Sequence, residues 1–337
     1  MSQSIDIAVV GATGTVGETI VQILEERDFP VGDLHLLASI ESAGHSVPFR
    51  GKNVRVREVD EFDFGKVRLA FFAAGPAVSR SHAEKAVAAG CAVIDLSGVF
   101  PAAQAPSVVP EINGQLLTPA HAAPRLISSP SASATAVALA LAPLRQLFDL
   151  RHVAVTACLA VSTQGREGVT ELARQTTELL NVRPLETRFF DRQMAFNVLA
   201  QVGKPDEAGH LALERRLVAE VRELLALPSL KVAASCIQVP VFFGDSFTVS
   251  IQAGAPIDLA AVNAALESAE GIELVDAGDY PTPVGDAVGQ DVVYVGRVRT
   301  GIDDPEQLEL WITSDNVRKG AALNAVQVGE LLIKDYV

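Results

Sequence analysis

The chain has 337 residues, 49% hydrophobic and 20% charged, which is long enough for two domains with sizeable cores and too poor in charge for a disordered chain. Its 41 acidic against 27 basic residues give a net charge of −14, which argues against nucleic acid or an anionic membrane surface as a partner. No run of ~20 apolar residues is free of charge, and the opening "MSQSIDIAVVGATG" has no basic leader segment, so a cytoplasmic protein without a membrane span is expected.

In chain order, "IDIAVVGATGTVGETIVQILEE" reads as a strand, a glycine turn and a helix. The apolar run Ile5–Val10 suits a strand buried on both faces of a parallel sheet. Val16, Ile20, Ile23 and Leu24 fall on one face of the helix that follows. Further strands are predicted over 34–39, 67–75, 91–98 and 124–130, with a helix over 79–89 and a connecting loop over 105–115. Strands alternating with helices at this spacing predict an α/β fold with a Rossmann-type, doubly wound parallel sheet.

The rhythm changes after about residue 131. A helix is predicted near Ser133, with Ser131 or Ser133 as its N-cap. A long strand follows over 152–162, then helices over 167–180 and 211–227, strands within 231–254, and antiparallel strands at "VVYVGRVR" and "LELWITS". This is the pattern of an α+β domain. An amphipathic helix from 314 closes the chain, capped by Ser314, Asp315 or Asn316. The expected division is therefore 1–131, 132–313 and a C-terminal helix over 314–337.

The turn "GATGTVG" (11–17) places Gly11 at the tight turn, Gly14 where a backbone must approach a pyrophosphate, and Gly17 where helix and sheet pack closely. A glycine turn kept only for packing would look the same. Glu41, 24 residues past Gly17, stands near the acidic position that hydrogen-bonds an adenosine ribose and would repel a 2′-phosphate. A solvated surface glutamate is the competing reading. Cys91, Cys158 and Cys236 are odd in number and widely spaced, so they make neither a disulfide framework nor a metal cluster. His82, His121, His152 and His210 lack metal-ligand spacing, and no metal site is expected.

The segments "GATGTVG", "LLASIESAG", "VVPEIN", "AFNVLAQVG", "VPVFFGDS", "YPTPVGDAVGQDVVYVGRVR" and "SDNVRKGAALNAVQ" together make the chain resemble the aspartate-β-semialdehyde dehydrogenases along nearly its whole length. The resemblance implies a Rossmann cofactor domain, a substrate and dimerisation domain, and a C-terminal helix returning to the first domain. It implies NADPH-dependent reductive dephosphorylation of an aspartyl phosphate, with a cysteine nucleophile, a histidine acid/base, a positioning glutamine, and arginines and a lysine for carboxylate and phosphate.

Carried over one position at a time, those roles meet other residues. The nucleophile of the family's Asn-Pro-Asn-Cys turn falls on Ala132, after Ser129, Pro130 and Ser131. The positioning glutamine falls on Leu159, the carboxylate-binding arginine on Gln238 and the histidine on Asp245. Pro101 replaces a phosphate-binding arginine, Leu213 stands at the amine-binding glutamate, and Arg216 at the phosphate-binding lysine. Glu41 stands where the arginine for the NADP 2′-phosphate belongs. Alanine cannot form a thioester, and a neighbouring serine lacks an activating base. The chain looks like the Usg-type branch of the family, whose members lack the catalytic residues.

The candidate cofactor-binding set is Gly11, Thr13, Gly14, Thr15, Val16, Glu41, Gly75 and Asn316, and NAD is expected over NADP, with no bound dinucleotide as the alternative. Cys158 is a candidate relocated nucleophile, although its place on a strand beside Leu159 turns it to the opposite face. Arg166 is a candidate for the emptied anion site or a plain surface residue. The expected function is a catalytically inactive, dinucleotide-binding homodimer. The alternatives are an NAD(P)-dependent oxidoreductase acting without a covalent intermediate on an aldehyde or oxo group of another substrate, and a structural partner in mixed dimers with an active paralogue.

Overall fold

Five of the six side chains of β1 (Ile5–Val10) are buried, as a central parallel strand requires. The computed structural model describes residues 4–117 and 125–335, and the chain divides into two units, Met1–Ser131 with Ala321–Val337, and Ala132–Gly320. In the first unit, β1 leads through α1 (Thr15–Glu26) to β2 (Val31–Ala38), β3 (Ser46–Phe49), β4 (Lys52–Glu58) and β5 (Leu69–Phe72). Then come α2 (Pro76–Ala88), β6 (Ala92–Asp95), α3 (Pro110–Asn113) and β7 (Leu126–Ser128). The sheet order is β3-β4-β2-β1-β5-β6-β7, parallel except for the β3–β4 pair. Ile20, Ile23 and Leu24 of α1 bury one face of this sheet together with Ala325, Val326 and Val328 of the C-terminal helix Asn324–Asp335. Ala83 and Ala86 of α2 bury the other face.

Two features of this unit depart from the sequence reading. The β3–β4 hairpin was not anticipated; its turn is Arg50-Gly51, both with positive φ, and Pro48 sits on the edge strand where a missing N–H costs nothing. The segment expected as loop over 105–115 contains α3, which starts on Pro110 and is held by the Asn113 amide: Val109 N–H donates to its Oδ1 and its Nδ2 donates to the Ser107 carbonyl.

The second unit contains α4 (Ala132–Leu141), β8 (Leu150–Leu159), α5 (Gly165–Leu180), α6 (Ala212–Leu224), β9 (Lys231–Gln238), β10 (Asp245–Ala253), α7 (Leu259–Glu267), β11 (Ile272–Leu274), β12 (Val293–Thr300) and β13 (Gln307–Ser314). Its sheet runs β11-β12-β13-β10-β8-β9, antiparallel except for the β11–β12 and β8–β9 pairs. Alternate residues such as Val153, Val155 and Ala157 of β8 are buried, while Ala154, Thr156 and Cys158 are only half-buried. The helices α4 and α6 pack on the strands and on each other. Neither α7 nor β11 is among the elements expected from the sequence; α7 is capped by the Asp258 carboxylate, which accepts from Ala260 and Ala261 N–H.

The helix expected from 314 begins differently. Ser314 ends β13. Of the three candidate caps, Asp315 takes the role, its carboxylate accepting from Val317 and Arg318 N–H. Arg318–Leu323 form a wide π-type turn, closed by Gly320 N–H on the Asp315 carbonyl, before the α-helix starts at Asn324. Residues 314–320 thus belong to the second unit.

Candidate functional site

In the first unit, the glycine turn has the geometry of an anion cradle. Gly11 has φ +87°, and a Cβ there would lie 2.7 Å from the Ala73 backbone. A Cβ on Gly17 would lie 2.1 Å from the Gly11 carbonyl oxygen, so α1 reaches its position only with glycine there. Gly14 is the N-cap of α1 and contributes no side-chain cap, which leaves N–H groups of the first turn open to an anion. Thr13 and Thr15 beside it are half-buried, and Val16 packs against the core. Gly75 has φ +85° and precedes Pro76 at the start of α2. Glu41 is exposed in a short turn after β2. A hydrogen bond from Ser39, then one from its own backbone, hold its carboxyl below the usual range, so it is charged at neutral pH.

In the second unit, three of the positions singled out in the sequence form one row across the sheet. Leu159 pairs with Gln238 across β8–β9. Asp245 lies one step beyond the Ser246–Cys158 pair, level with Leu159, and pairs with Ser314 on its other side. All four side chains in this row are buried. Ala132 opens α4, half-buried, with Ser131 just before the helix and Ser133 in its first turn. A Cβ on Gly320 would lie only 2.5 Å from the Ala132 Cβ, so a backbone turn abuts this residue.

Gln238 donates from Nε2 to the Leu159 carbonyl at 2.7 Å. Asp245 is fully buried and accepts from Ala160 N–H at 2.9 Å through Oδ1. Cys158 is half-buried on the opposite side of β8 from Leu159, and its thiol is pushed up by burial and by Asp245. Burial pushes Cys91 and Cys236 up to about 12. Among the described residues, no group of three or more His, Cys, Asp or Glu side chains could hold a metal ion.

The model of the semialdehyde dehydrogenase NAD-binding domain matches residues 6–120, and that of the semialdehyde dehydrogenase dimerisation domain matches residues 141–319. The chain belongs to the semialdehyde dehydrogenase family. It is 63% identical to the USG-1 protein homolog of Azotobacter vinelandii over 99% of both chains, and 42% identical to aspartate-semialdehyde dehydrogenase 2 of Vibrio cholerae over the full length of both. The structure of a probable aspartate-semialdehyde dehydrogenase from Pseudomonas aeruginosa superposes with a TM-score of 0.96 at 59% identity, covering 99% of this chain and all of that one. Within this family of NAD(P)-dependent oxidoreductases, the chain falls in the Usg branch.

The remaining semialdehyde dehydrogenase positions are occupied as follows. Asn316 is buried, accepting from Gly244 N–H at 2.9 Å and donating to the Ser162 hydroxyl at 3.0 Å. Leu213 is half-buried on α6, where Glu214 accepts from Cys236 and Leu211 N–H and Arg216 pairs with Glu220 at 2.7 Å. Pro101 and Arg166 are exposed. His82 pairs with Asp60 at 3.0 Å, His152 and His210 are exposed, and His121 lies outside the described residues. Sequence reasoning missed Ala160, Asp315 and Ser314 as parts of the row's surroundings. The alternation of β8, β9 and β10 could have aligned the row, but nothing in the sequence marks which side chain meets the Ala160 N–H. No helix of the described residues is long and apolar enough to cross a membrane.

Proposed function

We propose that this chain is a catalytically silent semialdehyde dehydrogenase homologue: a cytoplasmic homodimer that keeps the family's dinucleotide cradle and acts by binding. The reading is carried by the row at the end of β8, where the side chains at the expected anchor and acid/base positions are spent on the Leu159–Ala160 peptide. Ala132 offers no thiol. A buried carboxyl with one oxygen on a backbone N–H cannot serve a substrate as a base, because a general base must reach the proton it removes. The dimer rests on the dimerisation-domain match and on the half-buried sheet face of Ala154, Thr156, Ser250 and Cys158, which leaves a strand surface of small side chains for a second copy.

Any dinucleotide held by Gly11, Thr13, Gly14, Thr15, Val16 and Gly75 is NAD(H) rather than NADP(H), since Glu41 carries its charge where a 2′-phosphate would come. Asn316, whose amide is taken by Gly244 and Ser162, is left out of that set. A phosphate-dependent NAD(P)H assay tests the silent reading with the wild type, Ala132→Cys, and a fourfold variant that also carries Leu159→Gln, Gln238→Arg and Asp245→His. No turnover is expected from the first two, because catalytic groups that act as a unit are not restored singly. Clear turnover by the wild type would overturn the reading in favour of an oxidoreductase working without the cysteine. Light scattering that finds a monomer at micromolar concentration would remove the dimer.

A further inference from the structure

Gln238 and Asp245 hold one peptide group from its two sides. The Leu159 carbonyl, which accepts from Gln238 Nε2, and the Ala160 N–H, which donates to Asp245 Oδ1, belong to the same amide plane. This peptide is where β8 ends and the chain turns toward α5. Val161 and Ser162 N–H donate on to the Val241 and Phe242 carbonyls, so the junction ties β8 to the segment before β10. On the other side of Asp245, Ser314 ends β13, and Asp315 fastens the next turn by accepting from Gly289, Val317 and Arg318 N–H. Asn316 closes the knot between Gly244 and Ser162.

Asp245 is the weak point of this knot. Its Oδ2 is buried without a hydrogen-bond partner, as is the Oγ of Ser314 opposite it. A buried carboxylate with a single backbone donor is costly, and among the described residues no basic side chain acts on it. We propose that Asp245 is a proton-operated clasp: neutral, it closes the junction of β8, β10 and β13, and ionised, it loosens that junction against the Asp315 carboxylate. The ionisable groups in electrostatic range of it are Asp315 in the turn after β13, Cys158 on β8 and Cys236 on β9. Burial keeps both thiols neutral, so Asp315 supplies the charge that ionisation would oppose.

Desolvation pushes the Asp245 carboxyl up to about 7; the backbone hydrogen bond from Ala160 lowers it, and the Asp315 charge adds a smaller rise. A folded-state value above the unfolded one means that the stabilisation is whole below the unfolded value of 3.8 and is lost as pH rises through the folded value of about 7.

The test is hydrogen exchange at Ala160, Gly289 and Val317, corrected for intrinsic rates, in the full-length wild type, Asp245→Asn and Asp315→Asn between about pH 5 and about pH 8. Asparagine at 245 keeps an oxygen for the Ala160 N–H but cannot ionise. Wild-type protection at these amides should fall about tenfold or more over that range, and Asp245→Asn should lose most of the dependence. Asp315→Asn can still accept from Val317 and Arg318 N–H but not from Gly289 N–H, so in this variant the amide of Ala160 is the probe; its midpoint should move to lower pH, and it remains informative if the first variant folds poorly. Equal pH dependence in wild type and Asp245→Asn, or an unmoved midpoint in Asp315→Asn, would overturn the clasp.

Discussion

The glycine turn of the first unit and the cross-strand row of the second have fared differently, and the difference lies in what holds each in place. At Gly11 and Gly17 the constraint is backbone against backbone: a side chain would overlap Ala73 or the Gly11 carbonyl. Those glycines are needed for the sheet and α1 to meet at all, whether or not a dinucleotide ever binds. In the row, the strands are paired backbone to backbone through their ladders, and the side chains at 159, 238 and 245 act only at the end of β8. Chemistry can therefore vanish from the row while the scaffold stays intact, and a preserved glycine turn is evidence of fold before it is evidence of cofactor. Gly14 is the informative exception. A Cβ there would meet only the Gly11 oxygen, at 3.3 Å, so packing alone does not demand its glycine.

The contrast breaks most visibly if the packing glycines can be replaced. Gly17→Val should cost about 3 kcal/mol or more, because the helix must move away from the sheet. Urea unfolding should show this as a large fall in midpoint or as failure to accumulate folded protein. A mild effect would mean that the turn is not held by packing.

Placing the residues that the family resemblance implies in the row should also destabilise, but less. Gln238→Arg with Asp245→His removes both partners of the Leu159–Ala160 peptide and asks a buried row to take larger, chargeable groups. The loss is expected at about 2–3 kcal/mol by urea unfolding at neutral pH. The Val239 N–H still donates to the Leu159 carbonyl, which limits the damage. Unchanged stability would show that the peptide clamp contributes nothing. Between the two, Gly14→Ala should leave the unfolding midpoint nearly unmoved and weaken dinucleotide binding at least about tenfold if the cradle is live.

How far the sequence foretold this follows from the same distinction. The apolar run Ile5–Val10 and the helical spacing of Ile20, Ile23 and Leu24 were readable because burial imposes both patterns. The β3–β4 hairpin was not, since "HSVPFRGKNVRVRE" is charged, has a proline and lies at a sheet edge where only one face is covered. Ala132, Leu159, Gln238 and Asp245 were found by family likeness, not by any pattern of their own. What they do instead was hidden, because a hydrogen bond such as Ala160 N–H to Asp245 spans 85 residues and depends on where β8 happens to stop.

The smallest effect concerns which dinucleotide the cradle prefers, which the proposed reading assigns to the charge of Glu41. Its carboxyl is exposed and held ionised by Ser39, so it presents a full negative charge at neutral pH. A 2′-phosphate placed beside it would be repelled, but water and salt screen an exposed charge. The Arg55 guanidinium also lies beside the same loop, 3.9 Å from where a Cβ on Gly44 would be, and it offsets part of the repulsion. The preference for NAD over NADP is therefore expected to be modest, and Glu41→Arg should shift the ratio of the two dissociation constants toward NADP by about tenfold at low salt. Raising the ionic strength to about 0.5 M should shrink the shift to a few-fold, since the Debye length falls to about 4 Å. Titrations of both dinucleotides at the two salt concentrations check this. A ratio unchanged by Glu41→Arg would place the adenosine ribose away from Glu41, and a shift indifferent to salt would mean that shape, not charge, makes the distinction.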